Sequence, residues 1–461
     1  MRIQNQFSHG LLILLSTALF ISCNKQNDWL SVKTNKTDLI PSKLSDYQAL
    51  LDASDIYMNI DYPFLGQQGC DDYWSTYANW QSTTTFQRNA YIWAADIFAG
   101  GQSNDWNEPY VLIEYANVCL EGIQNITRDS SNRASWDNIK GTALFFRGQS
   151  YFNLAKEFAP AYDPATAGID LGVPLRNSSD VNIRSTRSSV AETYQQMISD
   201  LKEAENILPL NPAITTRPSV AAAQGLLARI YLNMGDYPNA WAYADKALKQ
   251  SGYLLDFNTL NTSLTYPLPT YQGNNKEILF YAATGFSSFH ITNGIIDSVL
   301  YQSYPNNDLR KTIFFKNVTG GVGFRGQYTG SAYPFGGIAN NELYLIRAEA
   351  LARQGNISAA MTDLNTLLIK RWKTGSFIPI SASTSVDALN KILIERRKEL
   401  VFSGTSRWDD LRRLNKDPIF ARTLIRVLNG QPYTLAPNDP KYVLPIPDNE
   451  ILLSGIQQNP R

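Results

Sequence analysis

The chain has 461 residues, with 41 Lys plus Arg against 41 Asp plus Glu and a formal net charge of +0. That balance argues against nucleic acid or anionic lipid as the main partner, and the length allows one large domain or roughly two to three modest ones. Charged residues make up only 18%, whereas Tyr 25, Phe 20 and Trp 9 make the chain rich in aromatic faces.

The amino terminus reads as a processing signal. Arg2 precedes an apolar run over residues 11–21 that is too short to span a bilayer. The run ends in "LFISC", with small Ser22 just before Cys23. This resembles a bacterial lipobox. The resemblance implies a signal peptide over 1–22, cleavage before Cys23 and lipidation of its sulfur, with 23–40 as the lipidated tether. Several acyl chains on one cysteine anchor stably where a single chain does not. No later run is long and apolar enough for a transmembrane helix.

Periodicity then predicts helices over 44–53 and 105–126. Between them, 55–101 is rich in Tyr, Trp, Gly, Asn and Thr and has no helical period. Cys119 falls in an apolar helical pattern, as a buried free thiol does. The next helix is 136–158, with Gly148 and Tyr151 at small and aromatic repeat positions; its partner is 189–209, across a Pro-, Asp- and Ser-rich loop. Residues 219–252 form the clearest helix–turn–helix. Leu227, Ala228 and Tyr231 share one face, Gly235-Asp236 turns the chain, and Ala240, Ala244 and Ala247 recur on the second helix. This is the tetratricopeptide pattern of about 34 residues. Tyr231, Tyr237 and Trp241 are expected to pack between helices. Residues 256–337 form a second irregular stretch holding short strand-like runs such as 277–284. A second repeat occupies 341–371, a further pair 386–402 with 407–414, and the Pro-rich tail after 415 reads as loop.

Catalysis finds little support. Only His290 remains beyond the leader, which weakens any His-based zinc site or triad. The Gly-rich runs at 100–105 and 320–326 lack the Lys-Ser/Thr of a phosphate loop and read as turns. In "RWDDLRR" (407–413), Asp409 and Asp410 project about 100° apart on a helix, so they do not face one substrate. Their expected role is pairing with the charged arm 395–399, with Trp408 and Leu411 packed inward. Asp71 and Asp72 are expected on opposite sides of an extended segment. The two irregular insertions, by contrast, place stacking aromatics among amide, carboxylate and guanidinium groups, as sugar recognition requires. The candidates are Asp71, Trp74, Tyr77 and Trp80 in the first, and Tyr271, Asn274, Phe289, Arg325 and Tyr328 in the second.

The lipobox, "YIWAADIFAGGQSNDWNEPYVLIEYANVCLEGI" (91–123), "ELYLIRAEALARQGN" (342–356), "ERRKELVFSGTSRWDDLRR" (395–413) and "YVLPIPDNEILLSGIQQNP" (442–460) together resemble the SusD/RagB family of nutrient-binding outer-membrane lipoproteins. The resemblance spans essentially the whole chain. It implies a mainly α fold: a tetratricopeptide-like α-superhelix with a loop-rich subdomain containing short strands. One domain over 41–461 would carry repeat helices at about 103–158, 189–252 and 341–414, and insertions at about 55–101 and 256–337. It also implies a lipid-anchored, surface-exposed protein of the outer membrane, without enzymatic activity or cofactor. Such a protein hands oligosaccharide, or in some relatives peptide, to a SusC-like TonB-dependent transporter. Trp106 and Tyr110 fit either the core or the face toward that transporter. The competing readings are a lipid-anchored scaffold whose repeats bind only protein, and a surface glycosidase or deacetylase.

Overall fold

Side-chain caps start four of the longer helices in the computed structural model, which describes residues 41–54, 58–61, 64–284 and 294–461. The leader and the whole tether with Cys23, together with Phe289 and His290, lie outside the described residues. The longer helices are α1 (Leu44–Leu51), α2 (Asn104–Gly122), α3 (Arg133–Phe158), α4 (Val190–Ile207), α5 (Val220–Met234), α6 (Tyr237–Gln250), α7 (Asn340–Arg353), α8 (Ile357–Leu368), α9 (Ser385–Glu399) and α10 (Ser406–Leu414). At the start of α4, the Glu192 N–H donates to the Ser189 hydroxyl at 3.1 Å and the Ser189 N–H donates to the Glu192 carboxylate at 2.8 Å. Helix α5 opens on Ser219 and closes on Gly235 at φ 75°, and Asp236 then caps α6.

Consecutive helices pack side by side from α2 to α8, with α6 also against α7. Both expected repeats are present, and α3 pairs with α4 across the intervening loop. Ala228, Ala240, Ala244 and Ala247 are fully buried, so the α5 and α6 backbones approach closely. Tyr231 stacks on Tyr243 with ring centroids 5.5 Å apart. Trp241 differs from expectation: it is 37% exposed and faces solvent, because it sits on the outer side of α6. The last pair differs too. Helix α9 packs on α7 and α8, whereas α10 lies against Leu65–Gly69 and α5, tied to α9 by Arg396 and Asp410 at 2.9 Å.

The two insertions are not free loops. Ile60–Asp61 pairs in parallel with Ala283–Thr284, and Tyr73–Trp74 pairs antiparallel with Ile295–Ile296. Short helices Leu65–Gly69, Tyr77–Gln81 and Thr85–Tyr91 interrupt the first insertion, where no helical period is visible in the sequence. They are too short to show one. The tail also corrects expectation: it folds as a hairpin, Leu424–Leu428 against Gln431–Leu435, followed by helix Asp448–Ser454. Phe280 joins the second insertion to the scaffold, its ring 4.7 Å from Phe145 and 5.8 Å from Phe146. The approach there is close enough that a Cβ on Gly337 would meet the Phe280 carbonyl oxygen at 2.0 Å. Cys70 and Cys119 are buried free thiols.

Below the first insertion, two buried carboxyls hold the start of the Leu65–Gly69 helix. Asp105 accepts from the Phe64 and Leu65 N–H groups at 2.9 and 2.8 Å, and Glu157 accepts from the Gly66 N–H at 2.6 Å. Burial, and then the neighbouring Asp105 carboxylate, push the Glu157 carboxyl well above its usual 4.5. A raised carboxyl keeps its proton in the folded state. Its contribution to stability is therefore complete below pH 4.5 and lost as pH rises toward the folded-state value. Glutamine imitates the protonated form. The Glu157→Gln variant is expected to match the parent near pH 4 and to exceed it increasingly as pH rises above the unfolded value of 4.5 in urea unfolding. A variant that loses stability with pH as steeply as the parent would count against proton retention at Glu157.

Candidate functional site

The first insertion is fixed at its base by Trp408. Gly66 and Gly69 lie flat on that indole: a Cβ at either would meet it at 2.7 and 2.8 Å, so only glycine fits. The Trp93 indole N–H donates to the Gly69 carbonyl at 3.0 Å. The chain then runs through Asp71 and Asp72 into the two-residue strand. Strand alternation sends Tyr73 into the core and leaves Trp74 43% exposed. Thr76 starts the next short helix by accepting from the Asn79 N–H at 3.2 Å. On that helix Tyr77 stacks on Trp80, centroids 5.6 Å apart, and the Trp80 indole N–H donates to the Arg88 carbonyl at 3.1 Å.

Trp74 borders a cleft of about 460 Å³ whose walls include Asp71, Asp297, Arg397, Arg422 and Ile425. Expectation placed Asp71 and Asp72 on opposite sides of the strand. Both instead turn to the same guanidinium: Arg397 is 3.0 Å from Asp72 and 3.5 Å from Asp71, because the chain bends rather than extends before Tyr73. Arg407 binds Asp71 through two bonds of 2.6 and 2.9 Å, and Arg422 approaches the same carboxylate at 3.1 Å. Burial works against the charge of Asp71, but Arg407 and Arg397 outweigh it and hold the carboxyl well below the usual range. The hairpin after Thr423 forms the opposite wall, with Ile425 and Val427 65% and 63% exposed. Between them Arg426 points inward, its guanidinium carbon 3.5 Å from the centre of the Tyr91 ring and 4.8 Å from that of Trp93.

Two of the candidates, Asp71 and Trp74, come together in this cleft. The other described candidates lie apart from its walls. Tyr77 is exposed and accepts from Gln81 at 2.6 Å; Trp80 is half-buried. Tyr271 is half-buried against Tyr281, with centroids 4.3 Å apart, and Asn274 is an exposed turn residue at φ 60°. Arg325 spends its guanidinium on the backbone: it donates to the carbonyls of Thr262, Leu264, Thr265 and Thr312. Tyr328 is 3% exposed, its ring edge-on to Phe335, so it presents no face to a ligand. Phe289 lies outside the described residues. Trp106 belongs to the core, packed 5.0 Å from Phe158, while the Tyr110 hydroxyl donates to the Pro174 carbonyl at 3.0 Å.

Sequence reasoning missed Asp297, Arg397, Arg422, Arg426 and the hairpin that follows Arg422 and carries Arg426. A signal existed for the hairpin: Asn429-Gly430, at φ 49° and 78°, is the dipeptide of a two-residue hairpin turn between alternating apolar positions.

In "RWDDLRR" the expected pairing with the arm 395–399 holds for Asp410, whereas Asp409 turns to Lys156 instead. Trp408 and Leu411 are buried; Asp410 binds Arg396 and Arg413, and Asp409 lies 3.9 Å from Lys156. No helix among the described residues is long and apolar enough to cross a membrane.

Comparison with known proteins adds family membership. A SusD-like model, described as starch-binding and associating with the outer membrane, matches residues 28–232. The model of the SusD family matches 229–461. SusD-like protein P2 of Formosa agariphila is 26% identical over 408 residues, covering 75% of this chain and 77% of that one. Among solved structures, a putative sugar binding protein from Bacteroides vulgatus aligns with TM-score 0.72 at 24% identity, over 92% of this chain and 99% of its own. A laminarin binding SusD-like protein aligns with TM-score 0.66 at 18% identity, over 90% of this chain and 97% of its own. These alignments support the mainly α, repeat-helix fold.

Proposed function

The chain belongs to the SusD family, and from that premise we propose that it is a cell-surface glycan-binding lipoprotein of the outer membrane. It captures oligosaccharide without turnover and delivers it to a SusC-like TonB-dependent transporter, held to the membrane through lipid on Cys23. The observation that supports glycan capture is Trp74, exposed at the mouth of a cleft whose other walls offer guanidinium and carboxylate groups. A flat apolar face beside charged hydrogen-bonding groups suits a pyranose ring, which is apolar on its faces and hydroxylated at its rim. The sugar binding and laminarin binding named for two structural relatives point the same way.

The test is a calorimetric screen of oligosaccharides and peptides on protein lacking residues 1–23. Oligosaccharide binding without product formation is expected, with Trp74→Ala lowering affinity about tenfold through loss of stacking. In cells, Cys23→Ser is expected to move the protein out of the membrane fraction and to abolish its co-purification with the transporter. Binding of peptides alone, or affinity unchanged by Trp74→Ala, would reject glycan capture at this cleft.

A further inference from the structure

Cations exceed anions around the cleft. Arg397, Arg422 and Arg426 line it with Asp71 and Asp297, while Arg407 and Asp72 stand behind them and Asp410 also acts on Arg407. Arg397 is committed to Asp72 at 3.0 Å and reaches Asp297 at 3.5 Å. Arg407 takes Asp71 through both of its oxygens. Among the described residues Arg426 pairs with no carboxylate; it donates to the carbonyls of Gln68, Cys70 and Tyr91. Arg422 is left with a share of Asp71, which Arg407 already holds, and half of its side chain stands in solvent. It also feels Arg407 and Arg397 as like charges, with Asp297 the other carboxylate facing it. A guanidinium under-matched by carboxylates, beside an exposed indole in one cleft, is a receptor for an anion attached to a ring.

Resting on the glycan reading above, we propose that the ligand is an acidic saccharide. Its anionic group, a uronate carboxylate or a sulfate ester, binds Arg422 while its ring lies against Trp74. Arg422 is then the residue that decides specificity. Both anions offer the planar or forked oxygens that a guanidinium grips through two bonds, and the excess of arginine gives a long-range pull that salt screens.

The experiment uses matched pairs that differ only in charge: tetragalacturonate against its methyl ester, and sulfated against desulfated carrageenan oligosaccharides. Titrations at low and at 0.5 M salt are compared for the parent, Arg422→Gln and Trp74→Ala. The expected result is that one anionic probe binds at least about tenfold more tightly than its neutral partner at low salt, with the margin shrinking in high salt. Arg422→Gln should erase that margin by lowering affinity for the charged probe toward that for its neutral partner, whereas Trp74→Ala should weaken charged and neutral probes alike. Asp71 stays bound to Arg407 in the Arg422→Gln variant, so an unchanged melting temperature will certify its fold. Which pair shows the margin identifies carboxylate or sulfate. Equal affinity for charged and neutral partners, or a margin that survives Arg422→Gln, overturns the proposal while leaving glycan binding intact. Failure of every saccharide to bind removes the glycan reading and this one with it.

Discussion

Alanine at Glu399 is expected to lower the unfolding free energy by about 3–5 kcal/mol, as breaking a buried ion network does. Glu399 receives Arg371 at 2.8 Å, Arg310 at 3.2 Å and the Asn341 amide at 3.0 Å. Arg310 also binds Asp308 and Glu395, and Arg371 binds Glu277. Both guanidiniums are fully buried, so removing Glu399 strands two cations with reduced compensation. The network joins the second insertion, through Glu277, Asp308 and Arg310, to helix α9. The loss should therefore appear in a single cooperative urea transition. Glutamine at 399 keeps the hydrogen-bonding shape without the charge and should cost less. Burial opposes ionisation of Glu399, but Arg371 and Arg310 prevail and hold its carboxyl below the usual range. A lowered carboxyl stabilises above its unfolded value of 4.5 and loses that contribution as pH falls below it. Glu399→Ala should consequently flatten the acid limb of the stability profile. A loss under 1 kcal/mol, or an acid limb as steep as the parent's, would contradict this account.

Replacement of Trp408 by alanine is expected to cost a comparable ~3–5 kcal/mol and to loosen a cleft it does not line. The indole is 1% exposed, sits 4.8 Å from the Tyr442 ring and forms the bed on which Gly66 and Gly69 rest. Without it the Leu65–Gly69 helix loses its support, and with it the position of Asp71 and Trp74. Limited proteolysis should find new cleavage between residues 70 and 82 below the melting transition, and saccharide affinity should fall with Trp74 itself unchanged. Trp408→Phe should recover part of both. Protection of 70–82 equal to the parent's would show that the first insertion holds its place by other means.

The helical scaffold was legible in the sequence because its physics is local. An apolar period of 3.6, small residues at close approaches and capping signals each act within a few residues of themselves. Hence α1 to α9 fall within a few residues of expectation. The insertions resisted reading because their order comes from partners far away in the chain. The Tyr73–Trp74 strand exists through Ile295–Ile296, and Arg397 finds Asp72 across more than three hundred positions. Aromatic residues in irregular sequence serve as core or as surface according to contacts that the sequence does not display. Tyr328 and Trp74 read alike there and end on opposite sides of the surface. The Asn429-Gly430 turn was local and readable, but the Pro-rich tail around it masked it. The arginines that shape the cleft are visible only once that hairpin is folded against the first insertion.

The short ladders between the insertions bear on how such a protein changes its preferences. Ile60 is in register with Ala283 and Tyr73 with Ile296, so each insertion is part of the other's template. Exchanging one of them for the corresponding stretch of another protein would orphan the edge left behind. Laboratory grafting has to move both insertions in one step for these ladders to re-form on the repeats beneath.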